Sequence, residues 1–178
     1  MTRPPTEVPQ TVCAMCGVAF SGKSSAARIV AGELGAELIS LDAINAERVL
    51  SGGEGMTDAQ WEETSFIAME RLGALLRQGR SAVVDDTFSH RFLRDRCKGV
   101  AEQHGCGFTI LFMDTPLAVI EARREANRRN PTRHHVRDEV FAQHRDRFQF
   151  PSDDEPVVRL ASAADLARWL ASRKGRQS

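Results

Sequence analysis

"CAMCGVAFSGKSS", residues 13–25, lays two patterns over each other. Cys13 and Cys16 have the Cys-x-x-Cys spacing of a redox or metal site. Gly17 to Ser24 has the G-x-x-x-x-G-K-S spacing of a loop that cradles phosphate. The flanking residues separate the two readings. TVCAMC, residues 11–16, is a short apolar run ending at Gly17, as a buried strand entering a tight turn should be. Ala27, Val30, Ala31 and Leu34 then recur at helical spacing until Gly35. Strand, loop and helix together make the phosphate motif specific. Glycines let successive backbone N–H groups converge on phosphate oxygens, and the helix dipole adds to the attraction. Gly17, Ser21, Gly22, Lys23, Ser24 and Ser25 form the expected nucleotide-binding set. Lys23 would reach the β- and γ-phosphates, Ser24 would take a Mg²⁺ site and Ser25 the α-phosphate. The cysteines lack their own context. A redox pair needs an exposed thiolate at a helix N-terminus, and zinc needs two further ligands, whereas Cys97 and Cys106 stand far off. Cys13 and Cys16 read as small apolar filling on opposite faces of the strand.

Outward from the loop, strands alternate with stretches of helical length. AELIS (36–40) reads as a second strand, placing Asp42 just past its end; AINAERVL (43–50) reads as a short helix and SGGEG (51–55) as a turn. The string LSGGE (50–54) matches the signature of ABC transporter ATPases, but this chain has no helical subdomain ahead of it, so it too reads as a glycine turn. Thr57 with Gln60 predicts a capping box for a helix whose Trp61, Ser65, Ala68, Leu72 and Leu75 share a face, with a stop at Gly79. SAVVDD (81–86) is a buried strand ending on two carboxylates, and Ser89 is the expected cap of the next helix, which Gly105 ends. FTILFM (108–113) is a fourth strand. Thr115 is the expected cap, and Pro116 the first turn, of a helix running to Asn130-Pro131. Val136, Val140, Phe141, His144 and Phe148 mark a further helix; PVVRL (156–160) and AADLARWL (163–170) give a last strand and helix. This alternation predicts an α/β fold with a parallel sheet of about five strands covered on both faces. Ligands in such sheets bind at the carboxyl ends of the strands, where Gly17, Asp42 and Asp86 should meet.

Composition narrows the function classes. The 178 residues include 24 basic and 24 acidic side chains, so no global field draws the protein to nucleic acid or membrane. Residues 1–9, MTRPPTEVP, carry three prolines and no apolar run, and read as a loose tail rather than a secretory signal. No stretch reaches the roughly 18 apolar residues of a membrane span. The expectation is a cytoplasmic protein with reduced thiols, one domain at 10–173 and a short tail at 174–178.

A phosphate loop says nucleotide; the other charged residues say what is done with it. The guanine and switch strings of GTPases, N-K-x-D and D-x-x-G, do not occur. Asp42 is placed to take a proton from a substrate hydroxyl, and Asp85 and Asp86 to hold Mg²⁺ or orient an acceptor. Arg123, Arg124, Arg128, Arg129, Arg133, Arg137, Arg145 and Arg147 span two helices hinged at Asn130-Pro131, which suits a lid over about 123–148 that stabilises a transferring phosphoryl group. Arg124 and Arg128 share a helix face. His134, His135 and Asp138 offer metal-like spacing without a third strong ligand, and read better as a lid tip.

These motifs resemble the small P-loop kinases of the AAA-type ATP-binding group, whose relatives include the kinase domain of polynucleotide kinase, chloramphenicol phosphotransferase, gluconate kinase and the zeta toxins. GVAFSGKSS, ELISLDAINAER, SAVVDDTFSHRFLRDR, FMDTPLAVIEARREANRR and FQFPSDDEP carry the likeness. It implies a three-layer P-loop NTPase sandwich with a helical lid, ATP and Mg²⁺ as nucleotide and metal, and a small-molecule hydroxyl as acceptor. It also implies Asp42 as general base, Asp86 as a substrate-orienting carboxylate, and Arg128 or Arg124 as the lid arginine. Where polynucleotide kinases have a substrate-binding arginine three residues after the base, this chain has Asn45, with Arg48 one turn further on. That departure argues against a nucleic-acid end as acceptor, although Arg48 could stand in for the missing arginine; Asp86, Asn45 and Arg48 are the expected substrate-side residues. Two other readings stand beside the small-molecule kinase: a 5′-hydroxyl polynucleotide kinase, and a non-catalytic protein that senses ATP.

Overall fold

A computed structural model describes residues 9–50, 55–132 and 136–174. The expected tail at 1–9 (apart from Pro9), the turn at 51–54, the pair His134-His135, Arg133 and residues 175–178 therefore lie outside the described residues. Five strands, β1 (Thr11–Cys16), β2 (Glu37–Ser40), β3 (Ala82–Asp85), β4 (Gly107–Met113) and β5 (Val157–Leu160), form one parallel sheet in the order β2-β3-β1-β4-β5. The helices are α1 (Lys23–Leu34), α2 (Leu41–Glu47), α3 (Asp58–Arg77), α4 (Arg91–Gln103), α5 (Leu117–Arg129), α6 (Asp138–Arg147) and α7 (Ala163–Lys174). Parallel strands need crossovers of helical length, and these supply them. The fold is the expected P-loop NTPase α/β sandwich.

Each face of the sheet carries its own core, because alternate residues of a strand point to opposite sides. Val12, Ala14 and Cys16 of β1 join Ala82, Val84, Ile110 and Phe112 beneath α3 and α4, where Ala68, Leu72, Cys97 and Ala101 close the layer. Cys13 and Met15 face the other way, onto Ala27, Val30, Leu166, Trp169 and Leu170 of α1 and α7. Cys13 and Cys16 thus lie on opposite faces, and burial pushes both thiols up to about 12. A thiol that stays protonated at neutral pH is neither a redox nucleophile nor a ready zinc ligand. Among the described residues, no helix is long and apolar enough to cross a membrane.

Some element ends differ from expectation, for local reasons. The capping box of Thr57 and Gln60 forms as expected. The deepest face of α3, however, is Thr64, Ala68, Leu72 and Leu76 rather than the row through Trp61 and Leu75. Ser40 caps α2 by accepting the Ala43 N–H at 3.3 Å, so the helix begins early and Asp42 lies in its first turn. His90, not Ser89, is the cap residue of α4, and it gives no side-chain bond; the Ser89 carbonyl instead accepts the Gln149 N–H at 2.8 Å. Pro116 is the cap residue of α5, and the Thr115 hydroxyl turns away to donate to the Ser21 carbonyl at 2.8 Å.

Candidate nucleotide and acceptor site

Register brings the candidate residues to one edge of the sheet. Met15, Asp85 and Ser40 pair at one level of β1, β3 and β2. Two residues further along each chain stand Gly17, Thr87 and Asp42, and the Gly17 N–H donates to the Thr87 carbonyl at 3.1 Å.

The loop between β1 and α1 has the geometry its glycines permit. Gly22 ends it at φ 98° and serves as the cap residue of α1, with no side chain satisfying the helix's first N–H groups. Gly17, at φ 150°, packs so closely that a Cβ there would come within 2.9 Å of Ser21 Oγ and 3.1 Å of Met113 Cβ. Between them Phe20 adopts a left-handed φ of 64°. That conformation costs about 1–2 kcal/mol for a side-chain-bearing residue. Burial of the ring against Ile120 of α5 and Phe141 of α6 returns a comparable amount, about 1.5–3 kcal/mol. The loop is therefore shaped from outside as well as within.

Its polar groups fit a phosphate chain. Ser21 Oγ is buried with no hydrogen-bond partner among the described residues. Lys23 is buried, and its Nζ donates to the Val18 carbonyl at 3.1 Å across the mouth of the loop. Ser24 hydrogen-bonds the Asp85 carboxylate. First N–H groups of α1 that no side chain caps, an orphaned hydroxyl, a lysine and a serine-aspartate pair make the donor set that a nucleotide phosphate with Mg²⁺ requires. The metal is held in such sites mainly by the serine, phosphate oxygens and water.

The three carboxylates differ. Burial pushes Asp85 above the usual carboxylate range, opposed by the Ser24 hydrogen bond and the charge of Lys23, while Asp42 pushes it further up. Loss of hydration likewise raises Asp86, although the N–H groups of Thr87 (2.7 Å) and Phe88 favour its anion. Asp42 is exposed and has no hydrogen bond or ion pair among the described residues.

The substrate-side and lid residues are distributed less evenly than their sequence positions imply. Asn45 is 1% exposed; its Oδ1 accepts from Thr64 Oγ1 at 2.6 Å and its Nδ2 has no partner among the described residues. Arg48 points at α3, where it donates to the Gln60 carbonyl at 2.9 Å, to Thr64 Oγ1 and to Glu63. Arg124 is buried, its guanidinium 4.0 Å from the Phe141 ring centroid and bonded to Asp138 at 2.6 Å and Glu121 at 3.0 Å. Arg128 pairs with Glu125 at 3.2 Å and with Asp138. Arg124 and Arg128 thus tie α5 to α6 in this conformation. The arginine on the phosphate loop is Arg123, whose Nη1 donates to the Phe20 carbonyl at 3.0 Å and would lie 3.1 Å from a Cβ on Gly22.

Sequence reading also passed over Arg94 and Glu155. Both are buried, at 1% and 3% side-chain exposure, in a two-pronged ion pair of 2.6 and 2.9 Å. Arg94 further donates to the carbonyls of Phe88 (2.8 Å) and Gln149 (2.9 Å), while Glu155 accepts the Ser152 N–H at 2.9 Å. This cluster fastens the segment after α6 to the connection between β3 and α4. Phe88, at φ 45° and 2% exposed, is held there against Phe112 and Phe148.

A family model described as AAA domain matches residues 12–151. No curated protein matches the chain. Among solved structures, the chain is similar to a sugar kinase from Janibacter sp. HTCC2649 (22% identity, 95% of this chain and 92% of that one, TM-score 0.64). It is similar to the APS kinase CysC of Mycobacterium tuberculosis in complex with AMPPNP and APS (20% identity, 94% and 96% covered, TM-score 0.69). It is also similar to Kti12 of Chaetomium thermophilum in complex with ADP-AlF3 (14% identity, 94% and 99% covered, TM-score 0.72). At these identities the likeness is one of fold.

Proposed function

The chain belongs to the AAA domain family whose model it matches, and from that premise we propose that it is a phosphotransferase moving the γ-phosphoryl group of ATP, bound with Mg²⁺, to a hydroxyl of a small molecule. The observation that carries this reading is the pairing of the phosphate loop after β1 with Asp42, an exposed carboxylate just past the end of β2, on the same edge of the sheet with β3 between them, that has no ion pair among the described residues. A protein that only senses ATP has no need of a free base on the acceptor side. The sugar kinase and APS kinase that share the fold point the same way.

In this reading the loop amides, Ser21, Lys23 and Ser25 hold the phosphates, and Ser24 with Asp85 holds Mg²⁺, which would neutralise charge on the β- and γ-oxygens. Asp42 takes the proton of the attacking hydroxyl, and Asp86, fixed by its neighbours' N–H groups, orients the acceptor. Arg123 is the lid arginine best placed to engage phosphate, since it already rests on the loop; Arg124 and Arg128 hold the lid's two helices together. Arg48, engaged by α3, does not replace the arginine that a polynucleotide kinase would use. The domain spans about 10–173, with α5 and α6 as the lid.

The test is an ATP-consumption screen over sugars, nucleosides, aminoglycosides and DNA or RNA ends, with Lys23→Ala as the blank. Asp42→Asn should then abolish transfer to the acceptor found while leaving the affinity for the analogue AMPPNP within about twofold. Wild-type turnover by Asp42→Asn would remove Asp42 from the role of base.

A further inference from the structure

Among the described residues, α1, α2, α3 and α4 end on one hydrogen-bond pattern, in which a left-handed residue donates to the carbonyl three positions back and its successor to the carbonyl five back. Three of these helices fill the left-handed position with glycine: Gly35 at φ 60°, Gly79 at φ 77° and Gly105 at φ 66°. The helix α2 fills it with Val49, at φ 59°. Its N–H donates to the Ala46 carbonyl at 3.0 Å, and the Leu50 N–H to the Asn45 carbonyl at 2.9 Å. A β-branched side chain crowds its own backbone in that conformation, so valine is an outlier there where glycine is at ease.

Phe20 carries strain of the same kind and offsets it by burial. Val49 has no such offset, because its side chain is 91% exposed, more than any other large hydrophobic among the described residues. The turn holds because the end of α2 is anchored on α3. Asn45 accepts from Thr64 Oγ1 at 2.6 Å, and Arg48 donates to the Gln60 carbonyl at 2.9 Å. Strain that the surroundings enforce, and that core packing does not offset, is characteristic of ligand contacts.

Position says which contact. The helix α2 starts at the end of β2, and Asp42 lies exposed in its first turn. Ala46 and Val49 follow Asp42 at four and seven residues, the spacing of one helix face, and both are exposed. Seven residues of helical rise place Val49 about 10 Å along α2 from Asp42. The row thus begins on a carboxylate and ends on a rigid isopropyl group.

We propose that Val49 is a specificity-determining contact of the acceptor site, and that the acceptor is an elongated hydroxyl compound with an apolar group about 10 Å from the accepting oxygen. This rests on the phosphotransferase reading above, which puts the accepting hydroxyl at Asp42. A branched side chain held by its own backbone offers an apolar contact that needs no ordering on binding, whereas glycine offers none.

The probes are methyl, butyl and hexyl β-D-glucoside, which share one sugar and differ in the reach of an apolar tail. Each is titrated by calorimetry into the full chain loaded with AMPPNP and Mg²⁺, and phosphorylated product is sought with ATP by mass spectrometry. The wild type should bind the hexyl compound about tenfold more tightly than the methyl one, and Val49→Ile should keep that preference. Val49→Gly should bind all three alike, while its melting temperature rises by about 2–4 °C as the strain is released. Val49→Asn, which tolerates the left-handed turn, should lose the preference as well, so that the loss follows the apolar side chain and not the backbone. The proposal is overturned if the wild type shows no preference, if Val49→Gly keeps it, or if none of the three binds. A lower melting temperature for Val49→Gly overturns it too, since the side chain would then stabilise the free chain. So does a wild-type dimer that Val49→Gly dissociates in sedimentation, which would assign the side chain to a second copy. A preference that depends on Val49 without any phosphorylated glucoside counts against the phosphotransferase reading and leaves the contact standing.

Discussion

Replacing Arg94 by Met should be among the most damaging single changes in this chain. The substitution strands Glu155 at 3% side-chain exposure without its cation, and deletes the donors that serve the carbonyls of Phe88 and Gln149. Breaking one side of a buried ion pair costs about 3–5 kcal/mol. In a protein of this size each kcal/mol lowers the melting temperature by about 2–4 °C, so a fall of about 6–20 °C is expected. Replacing both partners, Arg94→Met with Glu155→Leu, removes the isolated charge; the two carbonyls orphaned by the single change stay orphaned, and only the Ser152 N–H is newly left without a partner, at about 1–3 kcal/mol. The double variant should therefore recover part of the loss and not all of it. Urea unfolding followed by circular dichroism, with the three m-values compared, measures both quantities. A single variant losing less than about 1 kcal/mol would refute the reasoning, because the pair would then be no more than a surface contact. Full recovery in the double variant would show that the carbonyls do not depend on Arg94. The pair also fixes a pH dependence. Burial raises the Glu155 carboxyl, but the hydrogen bonds from Arg94 and Ser152 outweigh it and hold the group below the usual range. A depressed folded value means that the contribution is complete above the unfolded value, near about 4.3, and is lost as pH falls through the folded one. Wild-type stability should thus decline with acid below about pH 5, and the double variant should lack that share of the decline.

Three further outcomes are expected. Iodoacetamide at pH 8, read by mass spectrometry, should leave Cys13 and Cys16 unmodified in the folded protein and label them in urea, since burial holds both thiols near 12. Arg123→Ala should weaken AMPPNP binding about tenfold with little change in melting temperature, whereas Arg124→Ala should lower the melting temperature by removing the brace between α5 and α6. An equal effect of the two on nucleotide affinity would contradict their separate placement. Gly17→Ala should abolish nucleotide binding, measured by calorimetry, because its Cβ would lie 2.9 Å from Ser21 Oγ in a backbone conformation that side chains rarely adopt.

What was legible in the sequence followed from local rules. The phosphate loop, the capping box at Thr57 and the five apolar strands each announce themselves within about ten residues, through spacing and periodicity. The opposite faces of Cys13 and Cys16 follow from the period of two alone. The lid was harder. Helical spacing places Arg124 and Arg128 on one face, but which face of α5 meets the phosphate loop depends on Ile120 packing against Phe20, and that packing turns Arg123 toward the loop instead. Thr115 has the chemistry of a cap, but its hydroxyl goes to the Ser21 carbonyl, and Ser89 stands one residue before the cap position that His90 takes. Arg94 reads as one more charge on a solvated helix. Only the return of the chain after α6 brings Glu155 to it.

The contact of Phe20 with Ile120 and Phe141 makes the grip on nucleotide and the posture of α5 and α6 a single equilibrium. Thermodynamic reciprocity then applies: whatever factor the nucleotide contributes to settling those helices, settling them by other means returns to nucleotide affinity. On the proposed function, a substitution at Phe141 therefore also bears on nucleotide affinity, through Phe20.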